Sequence, residues 1–234
     1  MIEAVRSRRG SIVAHLALAA AAYVPLLRTA PGVLNADTKS YLYLDPGRFL
    51  ARASSLWDPT VGTGTVSHQI IGYLWPMGPF FWLADALGAP DWVAQRLWLG
   101  TILFAAGAGM LFLFRTLGLR GAGPLAGAAV YMLTPYILAF ASRTSVLLLP
   151  WAGLPWLIGM VERALRQGGW RYPALFALVV TTVGSINATS LGYAGLAVVA
   201  WVPFAIWGAR EVSPRAALGT VARIGGLTAV CQLW

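Results

Sequence analysis

The apolar positions of this chain fall in long runs, neither alternating nor scattered. After a basic start at Arg6, Arg8 and Arg9, residues 11–27 form the first run, which reads as a membrane helix. A cleaved signal peptide shares the basic start and the short Ala-rich run; the further apolar runs that follow favour an uncleaved span. Those runs cover 92–114, 122–141, 145–161, 172–186, 189–207 and a last stretch from 216 onward. A spanning helix needs about 20 residues, so the boundaries of the shorter runs are loose by several positions. The pattern predicts an all-α polytopic membrane protein, a bundle of about seven spans.

Between the first two runs lies a long connection, residues 28–91. Asp45-Pro46 has the form of an N-cap followed by proline at the first helical position. The helix it opens would carry Phe49, Ala53, Leu56 and Trp57 on one face and Arg48, Arg52 and Ser55 on another. That pattern predicts an amphipathic helix lying on the membrane surface. Further on, residues 72–87 are apolar but broken by Pro76 and Pro79 among Trp75, Phe80, Phe81 and Trp82. Such a stretch suits an interfacial or re-entrant segment better than a span.

Charge orients the bundle. Alternate connections hold Arg115 and Arg120, then Arg163, Arg166 and Arg171, then Arg210 and Arg215, whereas the opposite turns hold Arg143 or nothing. The positive-inside bias places the N-terminus in the cytoplasm and the 28–91 loop outside. Only 11% of residues are charged, against about a quarter in soluble domains, which excludes a soluble globular enzyme. Lys and Arg outnumber Asp and Glu by 17 to 8, but their placement between apolar runs points to membrane orientation, not nucleic acid. The lone Cys231 excludes a disulfide framework or a cysteine-ligated metal. The last run stops at Trp234 without a flanking anchor, so the chain reads as the N-terminal part of something longer.

Candidate chemistry concentrates in the outer loop, which holds Asp37, Asp45, Asp58, Asp85 and Asp91, five of the eight acidic residues. Asp45 reads as a cap, Asp58 precedes Pro59 where a helix should end, and Asp91 would cap the second span. Asp85 reads as pointing to water, a direct role being the lesser alternative. No proline or helix start explains Asp37, although a turn-forming Asp is an alternative. A carboxylate just outside the bilayer, two residues before Lys39, could act as a general base beside an anionic headgroup. Arg96, about one turn inside the second span, either snorkels to the interface or holds a lipid phosphate. Gly62-Thr63-Gly64 lacks the strand and the Gly-Lys-Ser/Thr of a phosphate loop and reads as a plain loop. His68 reads as a surface or satisfied residue, and His15 as bundle-facing. No cluster of metal ligands stands out.

A long first outer loop with an early Asp, surface helices and many following spans resembles the GT-C class of membrane glycosyltransferases. The resemblance narrows with Asp37-Thr38-Lys39, Arg48-Phe49-Leu50-Ala51-Arg52-Ala53, Gly72-Tyr73-Leu74 with Pro76, Gly78 and Phe80-Phe81, and Gln95-Arg96-Leu97-Trp98. This ordered set is similar to the mycobacterial arabinofuranosyltransferase D family, densely over 36–100 and in topology beyond. The resemblance implies transfer of arabinofuranose from decaprenyl-phosphoryl-arabinose to cell-envelope arabinan at the outer face of the plasma membrane. It implies Asp37 as base and Lys39 and Arg96 as donor-phosphate contacts, with a divalent cation at the phosphate left open. Asp45, Asp85 and His68 do not match its pattern. Two rival readings are a lipid-linked-sugar transporter, which should carry ionisable groups near the midplane of its spans, and a non-catalytic scaffold, which gives no reason for the outer loop.

Overall fold

The computed structural model describes residues 2–37, 41–53, 55, 57–60, 62–66, 72–141, 145–184 and 187–233, with side chains throughout except at 2–9 and 41. Lys39, Leu56 and His68 lie outside the described residues. Every one of the seven apolar runs contains a helix. The first is α1, Ile2–Arg28. Among the described residues of the outer connection, three short helices follow: α2 (Tyr41–Leu44), α3 (Pro46–Ala53) and α4 (Met77–Ala86). The remainder is α5 (Asp91–Thr116), α6 (Gly123–Met132), α7 (Pro135–Ala141), α8 (Leu148–Gln167), α9 (Arg171–Gly184), α10 (Ala188–Pro203) and α11 (Pro214–Cys231). A 3-10 turn, Ser145–Leu147, leads into α8.

Local chemistry sets these boundaries. The Asn187 side chain accepts from the Ser190 amide at 2.7 Å at the head of α10, and Ser213 accepts from Ala216 at 3.3 Å before Pro214 opens α11, both N-caps. Gly168 and Gly169 take positive φ, +66° and +74°, in the tight turn from α8 to α9. The run expected over 122–141 is two helices bent by 43°. Pro135 has no N–H to donate and disfavours helix at the residue before it, so the helix breaks there. Among the described residues four helices are long and apolar enough to cross a membrane, five if α6 and α7 form one broken span.

The centre of the bundle is α5 against α8, and small residues let the helices approach. A Cβ on Gly109 would lie 2.6 Å from the Trp156 indole, and one on Gly159 would lie 2.6 Å from Phe112. The Trp156 indole N–H donates to the Ala105 carbonyl at 2.8 Å, tying α8 to α5. By contrast, only 11% of the α1 window and 17% of the α10 window are buried, against 61% in α5 and 72% in 145–167. The open apolar faces of α1 and α10 suit a lipid environment.

The outer connection departs from expectation in three places. Asp45 does cap α3, its Oδ1 accepting from the Arg48 amide at 3.0 Å. Pro46, Phe49 and Ala53 form its buried face and Arg48 and Arg52 are exposed. That face packs on α4: Gly78 sits so close that a Cβ there would meet Leu50 and Phe49. The helix also ends at Ala53, and Trp57 belongs to a two-residue strand, β1 (Trp57–Asp58), paired antiparallel with β2 (Thr65–Val66). Asp58 closes a turn, not a helix. Its Oδ1 accepts from the Thr60 amide at 2.9 Å and the Thr60 hydroxyl at 2.6 Å, and these bonds hold its carboxyl below the ordinary value. Finally, Pro90 occupies the cap position of α5 and Asp91 is its first helical residue, where the charge faces the positive end of the helix dipole. Asp85 is exposed on α4, whose buried face carries Met77, Phe81 and Ala84.

Candidate active site

The segment Val33–Asp37, the head of α5 and the head of α8 converge at one end of the bundle. Gln95, in the second turn of α5, is fully buried. Its Oε1 accepts from the Asn35 amide at 2.7 Å while its Nε2 donates to the Asn35 carbonyl at 3.2 Å. Arg96 beside it is 4% exposed and donates through Nη2 to the Val33 carbonyl at 3.0 Å. These contacts fasten an irregular segment to a helix as a neighbouring strand would.

Asp37 then turns inward, its amide donating to the Asn35 carbonyl at 2.8 Å. Its Oδ1 accepts from the Ser145 amide at 3.1 Å, at the first residue of the 3-10 turn before α8. Ser145 is fully buried, and its hydroxyl accepts from the Trp98 indole N–H at 3.3 Å. Asp37 therefore does have a helix-start partner, supplied by a residue 108 positions later. Local sequence could not reveal it.

An aromatic layer lies alongside. Trp98 is 5.1 Å from Phe80 and 5.9 Å from Phe81, and Phe81 is 5.7 Å from Tyr43, centroid to centroid. Burial pushes the Tyr43 phenol up from its ordinary value, and the carboxylates of Asp37 and Asp91 add to the shift, which marks the three as neighbours. Trp98 and Phe80 also line an apolar cavity of about 560 Å³ bounded by Pro76, Thr101, Leu149 and Trp156.

Arg96 does not snorkel. Its guanidinium is buried, its Nε has no hydrogen-bond partner among the described residues, and no described carboxylate pairs with it. A buried cation without a counter-charge is costly. Gln95, Trp98, Ser145 and Tyr43 are the site members that residue-by-residue reading missed. The adjacency of Gln95 and Trp98 to Arg96 in one motif was the available signal. Among the described residues no three His, Cys, Asp or Glu side chains gather as a metal site.

The opposite end of the bundle collects the basic connections. Arg163 donates to the Thr116 hydroxyl at 2.8 Å and to Tyr172 at 3.2 Å, and its guanidinium lies 4.5 Å from the Phe112 ring centroid. Arg166 pairs with buried Glu162 and grips Glu211 through two bonds of 3.0 Å. Trp201 completes Glu162 at 2.8 Å. This cluster binds the ends of α5, α8, α9 and α10 together, and its carboxylates are consumed in doing so.

Residues 21–234 match the family model described as alpha-(1->3)-arabinofuranosyltransferase, N-terminal GT-C domain. The chain is 39% identical over 188 residues to an alpha-(1->3)-arabinofuranosyltransferase of Mycolicibacterium smegmatis, covering 79% of this chain and 13% of that one. It is 36% identical over 177 residues to that of Mycobacterium tuberculosis, covering 74% and 13%. The cryo-EM structure of arabinofuranosyltransferase AftD from mycobacteria superposes with a TM-score of 0.81 at 29% identity, over 93% of this chain and 16% of that one. The chain thus spans about an eighth of the length of these relatives. With its apolar helices it is a membrane protein of GT-C fold, and it belongs to the GT-C_AftD family, matching that family's N-terminal domain.

Proposed function

We propose that this chain is the N-terminal part of a GT-C transmembrane module, with 28–91 as its outer loop, in a polyprenyl-phosphate-sugar-dependent arabinofuranosyltransferase. The donor is decaprenyl-phosphoryl-arabinose, the acceptor an arabinan chain, and the reaction runs at the outer face of the plasma membrane with the N-terminus in the cytoplasm. The observation that carries this reading is one clamped segment, 33–37, that ends in a tethered carboxylate, Asp37, and is held at Val33 by the buried guanidinium of Arg96.

The chemistry follows from the substrates. An acceptor hydroxyl is a poor nucleophile, and a carboxylate at hydrogen-bond distance takes its proton as the new bond forms. The Ser145 amide on Oδ1 fixes the direction of the Asp37 carboxylate. The departing lipid phosphate gathers negative charge, which Arg96 and Lys39 offset in a site shielded from water. The isoprenoid tail fits the apolar cavity under Trp98 and Phe80. Among the described residues no three His, Cys, Asp or Glu side chains gather to hold a divalent ion, and no step is assigned to one.

The test is incorporation of radiolabelled arabinose from the lipid donor into an arabinan acceptor by the full-length protein. Incorporation separates a transferase from a lipid-linked-sugar transporter or a scaffold; its absence, with donor bound, refutes the proposal.

A further inference from the structure

We propose that Gln95 is a positioning residue for this reaction, setting the place of Asp37 through the backbone of Asn35; the proposal rests on Asp37 being the base. The link is one shared atom. The Asn35 carbonyl accepts from Gln95 Nε2 at 3.2 Å and from the Asp37 amide at 2.8 Å. The Asn35 amide in turn donates to Gln95 Oε1 at 2.7 Å. Both ends of one side-chain amide are thus spent on the backbone of a single residue, a two-bond exchange of the kind paired strands make.

Packing alone does not call for this residue. Gln95 is fully buried, and an apolar side chain of that volume fills such space without the cost of desolvating an amide. What the amide adds is direction. Asp37 is also held from the carboxylate end by the Ser145 amide at 3.1 Å, and Ser145 is held by Trp98 at 3.3 Å. Gln95 and Trp98 stand three residues apart on α5, on one helix face. One rigid face of α5 therefore fixes both supports of the base, its backbone through Gln95 and its carboxylate through Ser145. Arg96, between them, holds Val33 and keeps the segment from sliding.

A base displaced by about 1 Å loses roughly a hundredfold in rate. In the full-length enzyme, Gln95→Met should lower kcat ten- to a hundred-fold with the donor KM within about threefold of wild type, because the loss lies in the transition state. The decisive measurement is the double-mutant cycle with Asp37→Asn. If Gln95 acts through the carboxylate, Gln95→Met adds no further loss once Asp37 is Asn. An equal loss in both backgrounds overturns the positioning role and leaves the base reading standing. Full activity of Asp37→Asn alone overturns the base reading, and this proposal with it. Where Gln95→Met fails to accumulate, Gln95→Glu runs the same cycle. It keeps the acceptor for the Asn35 amide and loses the donor to the carbonyl shared with Asp37, so kcat should fall and the loss should again vanish beside Asp37→Asn. Wild-type kcat in Gln95→Glu refutes the proposal.

Discussion

The main-chain amide of Ser145 donates to Asp37 Oδ1 at 3.1 Å, joining the outer loop to the head of α8 across 108 residues. Because the donor is backbone, the side chain at 145 is free for a separate task, receiving the Trp98 indole at 3.3 Å. The two functions can be separated by substitution. Ser145→Ala keeps the amide and strands the buried indole N–H, so stability should fall by about 1–3 kcal/mol while kcat stays within about threefold. Ser145→Pro removes the amide at a position where the first turn tolerates proline, and kcat should drop at least tenfold. Thermal unfolding and steady-state turnover of the full-length enzyme check the pair; equal kcat in both variants contradicts the tether.

Arg96 has two separable parts as well, a hydrogen bond to Val33 and a charge with no described counter-ion. Arg96→Gln retains a donor for the carbonyl and removes the charge. Losing a charge-assisted bond to an anion costs about 1.5–3 kcal/mol, so donor use should fall roughly ten- to a hundred-fold with the fold intact. Arg96→Ala should be worse, because the Val33 carbonyl is released too. Normal donor kinetics in Arg96→Gln would mean that the cation only braces the segment.

The helices within the seven apolar runs were legible because apolar run length is a local signal. The Asp45 cap was legible for the same reason, since Asp-Pro sets its own geometry. What remained hidden was non-local. The amphipathic pattern of α3 identified its buried face, yet the pattern is the same whether lipid or α4 covers it. Likewise Asp37 looked unassigned because its partner, the Ser145 amide, is far along the chain. Gln95 gave no signal alone, as an amide near a helix start is ordinarily a surface residue.

Tyr43 supplies a pH-dependent prediction. Its folded-state pKa is raised above 10.0, first by burial and then by Asp37 and Asp91. A raised value means the stability it contributes is fully present below the unfolded pKa and is lost as pH rises through the folded one. Thermal midpoints of the solubilised protein should therefore decline above about pH 10. Tyr43→Phe, which keeps the ring against Phe81, should decline less steeply over that range. Parallel declines would mean that Tyr43 is not the group responsible.

Orientation is testable with single cysteines in a Cys231-free background. Thr63 lies between β1 and β2, Gln167 ends α8, and both are exposed. Thr63→Cys in intact cells should react with a membrane-impermeant thiol reagent, and Gln167→Cys only after lysis. The reverse pattern would put Asp37 in the cytoplasm, away from the proposed outer-face site.

Asp37→Asn is the sharpest test of the mechanism, because Asn can still accept the Ser145 amide through its own Oδ1. The Ser145 tether seen at 3.1 Å is thereby kept while the proton acceptor is removed. Turnover should fall by about 10²–10⁴, the usual worth of a general base, with donor binding nearly unchanged. Asp45→Asn is the matched control: that carboxylate caps α3 through the Arg48 amide, and Asn caps about as well, so activity should persist. Asp85, exposed on α4, should likewise tolerate Asn. Were Asp85→Asn dead and Asp37→Asn active, the base would be the wrong carboxylate. With both active, proton removal by an outer-loop acid would have no part in the rate.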